Sequence, residues 1–146
     1  MKFSVAPAVL FLETQLPEKV IGGLNTYLDA RHKKGGEDFG NKLVGQISHG
    51  EQLKIDSEDP LITPFVNIVA YMSQEYIKQF CKTIGVDELR RTPHVHSLWS
   101  VHSYERDYNP VHDHGVDTIM GLSFTTWTKI PPQIAEKDGY KASDLS

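Results

Sequence analysis

Apolar side chains recur at helical spacing in two stretches of the chain and alternate with polar ones in a third. Phe65, Ile68, Val69, Met72, Tyr76, Ile77 and Phe80 fall on one face of a helix, which is the stripe a helix needs in order to pack. Thr63 offers a cap, Pro64 suits a first turn and Gly85 closes the far end, so a helix is predicted over Thr63–Ile84. A second, weaker stripe of Val20, Ile21, Leu24 and Leu28 follows Leu16-Pro17-Glu18. Glu18 favours the positive end of a helix dipole there, and Gly22-Gly23 weakens the interior. Residues 94–104 alternate, with His94, His96, Leu98, Ser100, His102 and Tyr104 on one face and Val95, Trp99 and Val101 on the other, as a strand requires.

The remaining stretches fill in around these. Residues 3–12 read as an initial buried strand bent at Pro7, and 118–130 as a long β-prone segment stopped by Pro131-Pro132, because both are rich in residues that suit a sheet. Residues 31–40 and 50–59 read as polar connections, with a short strand over 42–48 between them. With both helices and strands predicted, the fold class is α+β. With 146 residues the chain has room for one core, so residues 1–146 are read as a single domain.

Charge and cysteine usage narrow the class. The net charge is −4, so no basic field draws in nucleic acid or anionic lipid. Cys81 is the single cysteine, which excludes an intrachain disulfide and fits a reducing, cytoplasmic setting. Its place on the apolar helix predicts a buried small hydrophobe. The apolar run after Lys2 is broken by Pro7 and meets Glu13 without a small-x-small cleavage site, unlike a secretory leader. No stretch is long enough to span a bilayer.

Candidate chemistry concentrates where the histidines do. Five of the seven lie between His94 and His114, interleaved with Trp99, Tyr104 and Tyr108. In His112-Asp113-His114-Gly115 the two imidazoles share one face of an extended chain and Asp113 takes the other. Two such rings suit iron, zinc, copper or nickel. Ordinary hydrogen-bonded histidines beside the turn marked by Asn109-Pro110 and Gly115 fit the same spacing. His94 and His96 read as a solvated sheet face, whereas His102 and Tyr104 lie nearer the turn into His112 and are pocket candidates.

Trp99-Ser100-Val101-His102-Ser103-Tyr104, then Asp107-Tyr108-Asn109-Pro110-Val111-His112-Asp113-His114-Gly115, and later Ser123-Phe124, Trp127 and Lys129-Ile130-Pro131, resemble 2-oxoglutarate- and Fe(II)-dependent oxygenases of the prolyl 4-hydroxylase-like superfamily, in particular phage and marine microbial members. The opening with Leu16-Pro17 and the later Leu43-Val44-Gly45-Gln46-Ile47 are similar to the front half of that family. The resemblance implies a double-stranded β-helix, or jelly roll, flanked by N-terminal helices. It also implies Fe(II) and 2-oxoglutarate as cofactors and an oxidoreductase activity that hydroxylates a substrate. His112 matches the first iron ligand, and His114 falls where most relatives carry a carboxylate; both are taken as metal ligands sharing a pocket with Tyr104. Tyr104 lies on the strand where relatives often place a tyrosine that touches the 2-oxoglutarate carboxylate.

Two other readings fit a His-x-His pair. A cupin-type metal protein is also a jelly roll, but normally adds a glutamate a few residues later, and Asp117 sits closer than that. A non-catalytic jelly-roll module is the other, since fold alone does not establish activity. A complete jelly roll needs about eight strands, and fewer are legible. No histidine follows His114, and Lys129, Lys137 and Lys141 are the only late basic residues. The C-terminal strands thus read as missing. The expectation is that the chain by itself binds Fe(II) weakly or not at all and offers a sheet edge suited to a homo-oligomer.

Overall fold

The computed structural model describes residues 10–35, 51–87, 92–104 and 121–130. Within them lie helix α1 (Glu18–Lys34), strand β1 (Glu51–Lys54), helix α2 (Thr63–Ile84) and strand β2 (Trp99–His102). The described residues are thus α+β, with two helices and a two-stranded antiparallel sheet. Glu51 pairs with His102 and Leu53 with Ser100. The Ile55 amide extends the ladder by donating to the Leu98 carbonyl at 2.9 Å.

Helix α1 begins where expected but runs further. The amides of Val20 and Ile21 donate to the Pro17 carbonyl at 2.8 and 3.1 Å, so proline stands just outside the first turn, where its missing N–H costs nothing. Residues 31–34, expected in a polar connection, form the last turn instead, and Arg31, His32, Lys33 and Lys34 put positive charge at the helix C-terminus, where the dipole favours it. One face of this helix grips β1 and the residues that follow it. The Asp56 amide donates to the Tyr27 hydroxyl at 2.9 Å, an Arg31 Nη2 donates to the Lys54 carbonyl at 3.3 Å, and His32 reaches Glu51.

Helix α2 has the predicted limits with a different start. Ile62 is the capping residue, and the Thr63 hydroxyl donates back to the Asp59 carbonyl at 3.1 Å rather than capping the helix. Asp59 organises the approach: its carboxylate accepts from the Leu61 amide at 2.8 Å and its carbonyl from the Ile62 and Thr63 amides at 2.9 Å. Gly85 ends the helix in the left-handed region (φ 72°, ψ 34°), where a residue without Cβ is unstrained.

The core gathers Leu24 and Tyr27 from α1, Phe65 and Val69 from α2, and Ile55, Ile62 and Leu98 from the connecting segments. Of the predicted α2 stripe, Phe65 and Val69 are buried while Ile68, Met72 and Phe80 are half-buried. Cys81 is buried as expected. Three sequence expectations change. Residues 51–54, expected in a polar loop, are β1. Residues 10–12 are not a buried strand: Phe11 is 79% exposed, although the Leu10 carbonyl accepts a hydrogen bond from the Tyr76 hydroxyl at 3.0 Å. Residues 121–130 have no regular secondary structure, and Leu122, Phe124 and Trp127 are exposed. The expected strand over 42–48 and the rest of 3–12 and 118–130 lie outside the described residues.

The glycine pair inside α1 divides by surroundings. A Cβ at Gly22 would meet nothing within 4 Å, whereas one at Gly23 would stand 3.2 Å from the Leu61 carbonyl oxygen. Gly22→Ala should therefore stabilise the protein by about 0.5–1 kcal/mol through the helix-forming preference of alanine. Gly23→Ala should gain less or lose stability, because a backbone oxygen must yield. Urea midpoints of the two variants check the contrast.

Candidate functional site

Polar side chains converge where the C-terminal turn of α1 meets the Glu51–His102 end of the sheet. Strand alternation sends Leu98, Ser100 and His102 inward: Leu98 and Ser100 are buried and His102 half-buried, whereas Val101 is exposed. The face that carries the histidines is therefore the inner one at this point, while His94 and His96, ahead of β2, and Tyr104, just past it, are exposed.

His32 is the hub. Its Nδ1 lies 3.1 Å from a Glu51 carboxylate oxygen, its Nε2 lies 3.2 Å from the Tyr104 hydroxyl, and its ring stacks on His102 with centroids 4.5 Å apart and planes 9° off parallel. On the far side of the stack, His102 Nε2 is 3.2 Å from the Ser100 hydroxyl, which donates to the Leu53 carbonyl at 3.5 Å. A hydroxyl has one hydrogen to give. With that hydrogen on Leu53, His102 is the donor to Ser100 and carries its proton on Nε2.

Parallel stacking decides what the two rings can do together. Imidazole lone pairs lie in the ring plane, so two stacked rings aim theirs along parallel planes and do not converge on an ion. Among the described residues no group of three His, Cys, Asp or Glu side chains could hold a metal ion. His112 and His114 lie outside the described residues. Tyr104 is within them, 53% exposed just past the end of β2.

Burial, and then the charge of His32, hold the pKa of His102 below the ordinary histidine value of 6.5. A group held neutral in the folded state binds its proton more readily when unfolded, so its stabilising contribution is present above about pH 6.5 and is lost as pH falls further. The urea midpoint should decline from about pH 7 to about pH 5, and His102→Gln should decline less steeply. At the edge of the site Lys129 pairs with Asp29, whose pKa is lowered by that hydrogen bond. Both side chains are more than half exposed, so the pair orients Lys129 and adds little stability.

His102 and Tyr104, expected at a pocket, each contact His32, with His102 half-buried and Tyr104 exposed. His32 and Glu51 carry no such expectation. No known family model, curated protein or solved structure matches the chain.

Proposed function

We propose that this chain is a domain of a 2-oxoglutarate- and Fe(II)-dependent oxygenase, with β1 and β2 as two strands of a double-stranded β-helix. The observation that carries the reading is the placement of Tyr104. It follows β2 with its hydroxyl on His32, and the chain then leads into Asn109-Pro110-Val111-His112-Asp113-His114-Gly115. His112 and His114 would hold the metal as neutral imidazoles, and Tyr104 would donate to the cosubstrate carboxylate. When bound, iron and the 2-oxo acid supply the oxidising chemistry at a substrate C–H bond, while the protein orients both and limits water. Two histidines make a weak site, so affinity is low and falls further as pH drops through ~6.5.

Fe(II) and 2-oxoglutarate, added in excess without oxygen, should give a weak visible charge-transfer band. His112→Ala and His114→Ala should each remove it while leaving the unfolding free energy from urea titration within ~0.5 kcal/mol of the parent protein. A wild-type protein that shows no band at saturating Fe(II) and 2-oxoglutarate sinks the proposal. A protein that binds metal but does not respond to 2-oxoglutarate is a cupin-like one.

A further inference from the structure

Asp29 and His32 are neighbours on one face of α1, because residues three apart on a helix lie side by side. Each holds a different part of the molecule. Asp29 is paired with Lys129 of the segment 121–130, and the His32 ring carries His102 of β2 stacked on it. The segment 121–130 has no regular secondary structure. Among the described residues its anchors are the Lys129–Asp29 pair at one end and the edge of Phe124 on Phe65 nearer the other.

The neutral His102 ring has one nitrogen left to take a proton. Its Nε2 hydrogen goes to Ser100, whose own hydrogen goes to the Leu53 carbonyl, so the lone pair is on Nδ1. A proton taken from solvent at Nδ1 makes a half-buried cation against the His32 ring, and such a cation needs an acid beside it. Glu51 and Asp29 are the acids that act on its charge. Glu51 is already engaged by His32 at 3.1 Å. Asp29 is engaged by a lysine whose side chain is 61% exposed and which loses little on returning to water.

We propose that Asp29 exchanges partners, from Lys129 to the imidazolium of His102, so that protonation of His102 unlatches the Lys129 end of the segment 121–130. Phe124 stays on Phe65, and the chain loosens from Trp127 onward.

The charges around His102 set the pH at which this happens. Burial and the charge of His32 hold its pKa below 6.5, Lys129 acts in the same sense, and Glu51 and Asp29 oppose them. The hydrogen bond from Lys129 holds Asp29 below 3.8, and the charges of Lys33 and His102 act in the same direction. Asp29 is therefore still a carboxylate where His102 takes its proton. Arg31, next to His32, is turned to the Lys54 carbonyl. Above the His102 pKa, Lys129 has Asp29 to itself and the latch is closed. Below it two cations compete for one carboxylate, and the half-buried one has more to gain.

Nuclear magnetic resonance on the full chain, with neither metal nor cosubstrate added, can follow the His102 ring and the backbone of 121–130 together from about pH 8 to about pH 5. Order parameters of 127–130 are expected to fall with the midpoint of the His102 ring signal, while those of Phe124 and α2 hold. His102→Gln, whose amide can still donate to Ser100, should keep 127–130 ordered throughout. Asp29→Asn should loosen 127–130 at every pH and move the His102 midpoint down. Lys129→Gln should also loosen it at every pH but move the midpoint up, since it removes a cation and frees the acid. Both side chains are more than half exposed, so these two variants keep the fold. The exchange is overturned by constant order at 127–130 through the His102 titration, by a loss of order that survives His102→Gln or is shared by α2, or by a midpoint that neither Asp29→Asn nor Lys129→Gln moves.

Discussion

Replacing Ile62 by Asp is expected to unfold the protein. Ile62 is 0% exposed and is the most deeply buried side chain of the core. It stands at the N-terminus of α2 among Leu24, Tyr27, Ile55, Phe65, Val69 and Leu98. A carboxylate there loses the apolar burial and must also be neutralised or hydrated at an effective cost of several kcal/mol. A domain of ordinary stability has only about 5–15 kcal/mol to lose. Graded substitutions separate packing from charge: Ile62→Val should cost about 0.5–1.5 kcal/mol and Ile62→Ala about 2–5 kcal/mol. Circular dichroism with urea titration reads all three. An Ile62→Asp protein that unfolds cooperatively near the wild-type midpoint would show that the core does not close around this residue.

Which features the sequence made legible follows from whether the signal was local. Helix α2 is legible over its full extent, Thr63–Ile84, because its stripe, its proline and its terminal glycine act within one element. The α1 boundary was lost because 31–34 is wholly polar, although four basic residues at a helix end suit the dipole. Strand β1 was lost among polar neighbours. The alternation of Leu53 and Ile55 with Gln52 and Lys54 was the available sign, and Leu53, Ile55 and Gln52 are indeed buried. Those two omissions hid half of the site, since His32 is on the misread turn and Glu51 opens the missed strand. Tyr104 and His102 were found because they share a face with period two. Their contacts, at 72 residues' separation from His32 for Tyr104, are tertiary and have no signature in local pattern. His112 and His114 are expected from the motif alone and lie outside the described residues.

Phe65→Ala is expected to cost about 3–5 kcal/mol, the second largest effect, because it removes a whole buried ring from the centre of the core. Phe65 is 4% exposed, and its ring meets Phe124 edge-on, with centroids 5.9 Å apart and planes 65° off parallel. The contact matters for the site, since Phe124 lies in the described segment 121–130 that delivers Lys129 to Asp29 beside the histidine stack. Phe124 is 44% exposed, so Phe124→Ala loses far less area and should cost about 0.5–1.5 kcal/mol, mostly the ring–ring term. The double variant should therefore be less destabilised than the two single effects predict, by about that same ring–ring term. Truncating Phe124 should leave α1, α2 and the sheet intact but loosen the Lys129–Asp29 pair. Native-state hydrogen exchange should then show faster exchange at 121–130 with unchanged protection in α2. Strict additivity in the cycle, or equal loss of protection throughout the molecule, would mean that this segment is held by contacts other than the Phe65–Phe124 edge.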